Sequence, residues 1–276
     1  MTRRGWLAIV SLIGALAAVV DVGHAQQIFR GYYGSTPPRF PTQTTFKGAF
    51  NFCRGMFASN RREKRGWDTD YPGADINFSI RLSELTKTRV SMDAASGDPD
   101  HVVVRLTDDE LFQCPFVLFE DAGTAALTEP EVERLRQYLQ KGGFLLVADY
   151  WGDRAQQQWD GEIGRVLPGA RSPIADIPMD HPIWRTQFQV HRVAQMASIQ
   201  FWRRSGGGMS ERGAGSATVH VRGISDEHGR LMVVMLHNTD IPDGWEREGE
   251  DHEYFFRFSP DAYAVGIDVL LYAATH

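Results

Sequence analysis

Residues 128–152, TEPEVERLRQYLQKGGFLLVADYWG, decide the fold class. Thr128 can N-cap a helix and Glu131 can close a capping box, with Val132, Leu135 and Leu139 forming an apolar stripe and Gly142-Gly143 ending the helix. Phe144 to Ala148 then runs almost continuously apolar, as a strand does when both its faces are buried in a parallel sheet. This predicts a central parallel strand covered on one side by a helix over 129–141. Asp149 closes the strand. Ligands of such sheets bind beyond the carboxyl ends of the strands, which puts Asp149, Tyr150 and Trp151 where a site would lie.

The same alternation extends outward. Upstream, Phe46 to Phe57 holds the first strand, Asp75 can cap a helix bearing Phe78, Leu82 and Leu85, and Thr88 to Met92 suits a short strand. His101 to Leu106 and Phe116 to Phe119 add strands, with a helical turn over Thr107 to Phe112 between them. Downstream, Trp159, Ile163 and Val166 have helical spacing until Leu167-Pro168-Gly169. Residues 171–212 carry no clear period, and their Gly206-Gly207-Gly208 run reads as a surface excursion, a lid or a partner contact. A hairpin follows over Ala217 to Asn238, and Ser259-Pro260 opens a last helix with Tyr263, Ile267, Leu270, Leu271 and Ala274 as its stripe. The fold class expected is α/β, three-layered, with a mostly parallel sheet and helices on both faces.

The N-terminus reads as an address. Thr2-Arg3-Arg4, an apolar run from Trp6 to Val20 and Gly23-His24-Ala25 match the basic, apolar and small-residue parts of a secretory signal, with cleavage expected after Ala25. The run is shorter than the roughly 20 residues of a membrane span, so no span is expected after cleavage; an uncleaved anchor is the alternative. Residues 26–45, rich in Gly and Pro, form an extended lead-in, and 46–276 a single domain. The expected location is outside the cytoplasm, in the periplasm. A formal charge of −6 without a continuous basic surface argues against nucleic acid as a partner. Cys53 and Cys114, the two cysteines, are permitted a disulfide in an oxidising compartment. Two buried free thiols are the simpler expectation, because nothing in the sequence brings their backbones together.

Several motifs together carry a resemblance: Trp67-x-Thr69-Asp70-Tyr71-Pro72-Gly73-x-Asp75, Leu111-Phe112-x-x-Pro115-Phe116, Gly142 to Leu146, and Asp180-His181-Pro182-Ile183. From about Phe46 to the C-terminus the chain resembles exported bacterial proteins catalogued as domain of unknown function 4159. That resemblance implies a flavodoxin-like sheet similar to class I glutamine amidotransferases. Those enzymes place a nucleophilic Cys at a sharp strand-to-helix turn, with His and Glu further along. The corresponding stretch here, Leu146 to Gly152, has Asp149 and no thiol, so glutaminase activity is not expected.

Acids at strand ends are the candidate chemistry: Glu120-Asp121, Asp149, Asp240 and Asp243. Paired carboxylates there could divide acid and base roles or hold a divalent cation, although an Asp after a strand often only caps the next helix. Asp149, Glu120 and Asp240 are the catalytic candidates. Asp149, Trp151, Trp67, Asp70, Tyr71 and Trp245 are the ligand-binding ones, the aromatics as a platform for a sugar ring unless they serve the core. Asp68, Asp70 and Asp75 lack calcium-loop spacing, so no dedicated metal site or other cofactor is expected. His181 reads as a turn residue and His237 as a strand histidine. No G-x-S-x-G, H-E-x-x-H, P-loop or C-x-x-C occurs. Two functions stand: a non-catalytic binding or assembly module of the cell envelope whose partner is an envelope protein or glycan, or a carboxylate-dependent hydrolase of an envelope or extracellular glycan.

Overall fold

The computed structural model describes residues 36–60, 66–169 and 171–276; the signal expected over residues 1–25 and the first part of the lead-in lie outside the described residues. In chain order the elements are β1 (Phe52–Met56), α1 (Gly73–Leu85), β2 (His101–Arg105), β3 (Val117–Phe119), α2 (Glu129–Gln140), β4 (Leu145–Tyr150) and α3 (Gly152–Val166). There follow β5 (Ala175–Asp176), α4 (Ile199–Arg204), β6 (His220–Ser225), β7 (Leu231–His237), α5 (Asp243–Glu246) and α6 (His252–Thr275). They build one seven-stranded sheet in the order β2-β1-β3-β4-β7-β6-β5. The first five strands of that order are parallel, while β6 and β5 close one edge antiparallel.

β4 is central, as its composition predicts, and its alternation divides the interior in two. Phe144 and Leu146 join a core with Phe78 and Leu82 of α1 and Val265 and Val269 of α6. Leu145 and Val147 join a second core with Val132, Leu135 and Leu139 of α2 and Trp159 and Ile163 of α3. The sheet is therefore covered by helices on both faces, and β4 packs against both layers. At the head of α2 the Glu131 carboxylate reaches back to accept from the Thr128 N–H and hydroxyl, both at 2.8 Å.

Four expectations are corrected. Asp75 does not cap α1: it lies in the first turn, fully buried, and its carboxylate accepts from Arg54 Nε on β1 at 3.1 Å. The last helix starts at His252, where the Asp251 carboxylate accepts from the Glu253 and Tyr254 N–H groups at 3.0 and 3.1 Å. Pro260 sits inside that helix, and the carbonyl it leaves unserved belongs to Phe256, whose side chain is exposed. Residues 171–212 are irregular but not peripheral. Ile183, Trp184, Val193, Met196, Ile199 and Trp202 all enter the α1–α6 core, and the Asp268 carboxylate pins the segment by accepting from the Gln187 and Phe188 N–H groups at 2.9 and 2.8 Å.

The cysteines are not free thiols. Cys53 on β1 and Cys114, just before β3, form a disulfide across 61 residues of sequence, their Cα atoms 6.1 Å apart. Adjacent parallel strands bring the two backbones together, which sequence separation conceals.

Candidate functional site

The loops leaving the carboxyl ends of β1, β3, β4 and β7 meet above the sheet. Strand order reverses between β1 and β3, since the chain passes from β1 outward to β2 and returns to β3 on the other side. Such a switch opens a crevice, and the loops beyond it carry the ligand groups of open α/β sheets. Here they enclose a pocket of about 420 Å³ whose walls include Asp70, Asp121, Asp149, Asp240 and Asp243.

Backbone conformation aims these acids. Asp70, Asp121 and Asp149 have φ of 57°, 45° and 51°, and Asn238, just before Asp240, has 62°; among the described residues no other non-glycine residue has positive φ. Asp and Asn tolerate this left-handed region better than other side chains, yet it costs of order 1 kcal/mol or more each, and such residues gather where geometry is imposed for a purpose. β4 does not stop at Asp149 as its sequence suggests. It continues to Tyr150 through a register shift against β7, and that irregularity turns Asp149 into the pocket.

Several of these acids are held by a neighbour. Asp149 Oδ1 accepts from Trp151 Nε1 at 2.9 Å. Asn238 Oδ1 accepts from the Gly152 N–H at 2.8 Å, tying the start of α3 to the end of β7. Asp240 Oδ1 accepts from the Asp243 N–H at 3.0 Å, while Asp243 Oδ2 accepts from the Ile199 N–H and the Tyr254 hydroxyl, both at 2.8 Å. Glu211 Oε1 takes the Ser198 N–H and hydroxyl at 2.8 and 2.7 Å, which fixes the far wall. Arg247 faces Asp243 at 3.5 Å and Glu246 at 2.6 Å.

So many carboxyls in one place cannot all stay charged at low cost. Burial, with the charge of Asp121 beside it, pushes Asp149 up to about 7. Burial likewise raises Glu246 to about 7 and Asp243 to about 6, the latter restrained by Arg247. Asp70 and Asp240 are driven well above the usual carboxylate range by burial and then by their acidic neighbours. Asp240 and Asp243 are only 2% and 1% exposed, whereas Asp70 and Asp149 keep part of their surface in solvent. Oxygens of Asp70, Asp240 and Asp243 lie within 4.8 Å of one another, close enough to share protons or to hold a divalent cation.

Of the residues singled out from sequence, Asp149, Asp240, Asp70 and Trp151 line this pocket. Glu120 does not: it is fully buried beneath, ion-paired with Arg54 Nη1. Trp67 and Trp245 are core residues at 2% and 0% exposure, and Tyr71 is buried with its hydroxyl accepting from the Arg39 N–H at 3.0 Å. The four-ring platform therefore does not assemble, and Trp151 alone faces the pocket. His181 accepts from the Ile183 N–H through Nδ1 in its turn, and His237 meets the Gly152 carbonyl through Nε2 at 3.2 Å. Among the described residues the lining includes neither His nor Cys. Ser198, Gln200, Glu211 and Arg212 complete the walls from the aperiodic segment, and Arg247 from the turn after α5; no motif marks them.

A family model described as a domain of unknown function (DUF4159) matches residues 56–274. No curated protein matches the chain.

Proposed function

From a chain that belongs to the DUF4159 family, we propose a non-catalytic binding module of the bacterial cell envelope whose strand-end pocket takes a hydroxyl-rich ligand, a glycan. The observation that carries this reading is the convergence of five aspartates from four strand-end loops on one pocket, three of them in left-handed backbone, with the Trp151 ring in the wall. Carboxylates accept hydrogen bonds from sugar hydroxyls strongly, and an indole face covers the apolar face of a sugar ring. Export agrees with the Cys53–Cys114 disulfide, a bond that persists in oxidising compartments, and with the expected signal at residues 1–25. The finer fold reading, flavodoxin-like and similar to class I glutamine amidotransferases, draws support from the parallel order β2-β1-β3-β4-β7. The described residues of the pocket wall include no Cys or His and both cysteines are joined in a disulfide, which speaks against a thiol–imidazole mechanism.

The deciding measurement is binding of a panel of envelope oligosaccharides to the protein and to Asp149→Asn by calorimetry. Binding that weakens in the variant supports the pocket; a panel that gives no binding at any member sinks it. One observation favours a second reading, a glycan hydrolase: carboxyls poised near neutrality, Asp149 at about 7 and Asp243 at about 6, can divide acid and base duty. Release of reducing ends from the same oligosaccharides, lost in Asp149→Asn, would select it.

A further inference from the structure

The acid pocket does not end at its own wall. A second cavity of about 640 Å³ adjoins it and shares Trp151, Ala155 and Arg212 in its lining. Both volumes fall within the range of ligand sites. Their chemistry differs in sign: beyond Trp151, among the described residues, the acid in the wall is Asp153, against Arg154 and Arg212. Neither guanidinium has an ion pair or hydrogen bond among the described residues, whereas Arg165, Arg203, Arg222 and Arg230 are all matched with carboxylates. Arg212 is set close to the start of α3, where a Cβ built on Gly152 would stand 3.6 Å from its own Cβ. Gly123, Gly152 and Gly215 are in the lining, and a side chain at Gly123 is barred because its Cβ would lie 2.4 Å from Ala155 Cβ. Asn238 takes the first N–H of α3, and the first turn of that helix, Gly152 to Ala155, lines the same space.

We infer that the two cavities form one bipolar trough for an anionic glycan, a saccharide that lays hydroxyls among the aspartates and an acidic substituent, carboxylate or phosphate, against Arg154 and Arg212. This rests on the glycan-binding reading of the acid pocket. An acid pocket alone repels an anion, so a ligand carrying both functions is oriented by the trough: its charge is excluded from one half and attracted to the other. Trp151 lies at the boundary, where a sugar ring joins the two ends. Specificity is then set by the distance between the neutral hydroxyls and the acidic group.

The test uses calorimetric titration of the protein with three probes: a uronic-acid tetrasaccharide, the same tetrasaccharide with its carboxylates reduced to alcohols, and a hexose oligosaccharide bearing one phosphate. The wild type is expected to bind at least one anionic probe about tenfold or more tighter than the reduced one. In Arg154→Gln, whose exposed side chain lines the second cavity alone, this preference falls while binding of the reduced probe and the melting temperature are unchanged, and the double variant Arg154→Gln/Arg212→Gln removes the preference. Which anionic probe gains separates carboxylate from phosphate. Equal binding of all three, indifferent to the double variant but weakened by Asp149→Asn, overturns the bipolar trough and leaves the acid pocket standing. No binding of any probe overturns both.

Discussion

Asp149 concentrates the question of what a single carboxylate does here. Its backbone is left-handed, its Oδ1 accepts from Trp151, and burial raises its affinity for a proton to about 7. Asn keeps the left-handed tolerance and the acceptor oxygen, so Asp149→Asn removes charge with little change of shape. In the unfolded chain the carboxyl ionises near pH 4, and in the folded chain near 7; between these the folded state binds more protons, so this group makes stability fall as pH rises. We therefore expect Asp149→Asn to melt like wild type at pH 4 and higher than wild type at pH 8, by about 2–4 °C for each kcal/mol of repulsion relieved in a chain of this size. Thermal melts at the two pH values check it, and an equal or lower melting temperature at pH 8 would refute the repulsion. Neighbouring Glu120 and Asp121 show why sequence went half right. Both lie just past β3, where the left-handed backbone of Asp121 brings it to the pocket while Glu120 turns to Arg54, a partner 66 positions earlier. No local pattern reports which of two adjacent acids faces which way.

Among the elements, β1 carries two long-range ties, the disulfide from Cys53 and the buried charge cluster of Arg54 with Asp75 and Glu120. Closing a loop of this length in the unfolded chain gives roughly 2–4 kcal/mol, so Cys53→Ser or reduction should lower the urea midpoint accordingly. An unchanged midpoint would mean that the reduced chain is constrained by other means. Arg54→Met should cost more, about 3–5 kcal/mol, because two carboxylates then remain buried without their cation. Urea titration at pH 7 measures both variants, and a loss under 1 kcal/mol for Arg54→Met would contradict this account. The elements legible beforehand include α2 and α3, whose apolar residues repeat at 3.6, and β4 and the β6–β7 hairpin, whose apolar runs are bounded by turn residues. Residues 171–212 were not legible because they fill the core without a period, and α6 was shortened because Pro260 looks like a helix start when the Asp251 cap goes unnoticed.

At the scale of the molecule, the parallel sheet and its helices on both faces follow from β4 and its capped helix, but the pocket comes from convergence. Its walls are drawn from residues between Thr69 and Arg247, and only the strand-end acids among them had a positional signal. Because Asp70, Asp149, Asp240, Asp243 and Glu246 all have raised proton affinity, the whole protein should lose stability from pH 5 to pH 8; the raised groups are protonated at the lower end and repel at the upper. Melts across that interval check this, and a flat or rising profile would speak against the crowding. The same crowding makes the pocket a store of exchangeable protons. A ligand that donates hydrogen bonds to these oxygens favours their ionised form and must expel protons near pH 7. Its heat of binding should then differ between phosphate and Tris buffers, in proportion to the protons the buffer absorbs. A heat independent of buffer would mean that the ligand seats elsewhere. The crowded carboxyls thus make ligand capture an acid-releasing event, felt by whatever solution surrounds the protein.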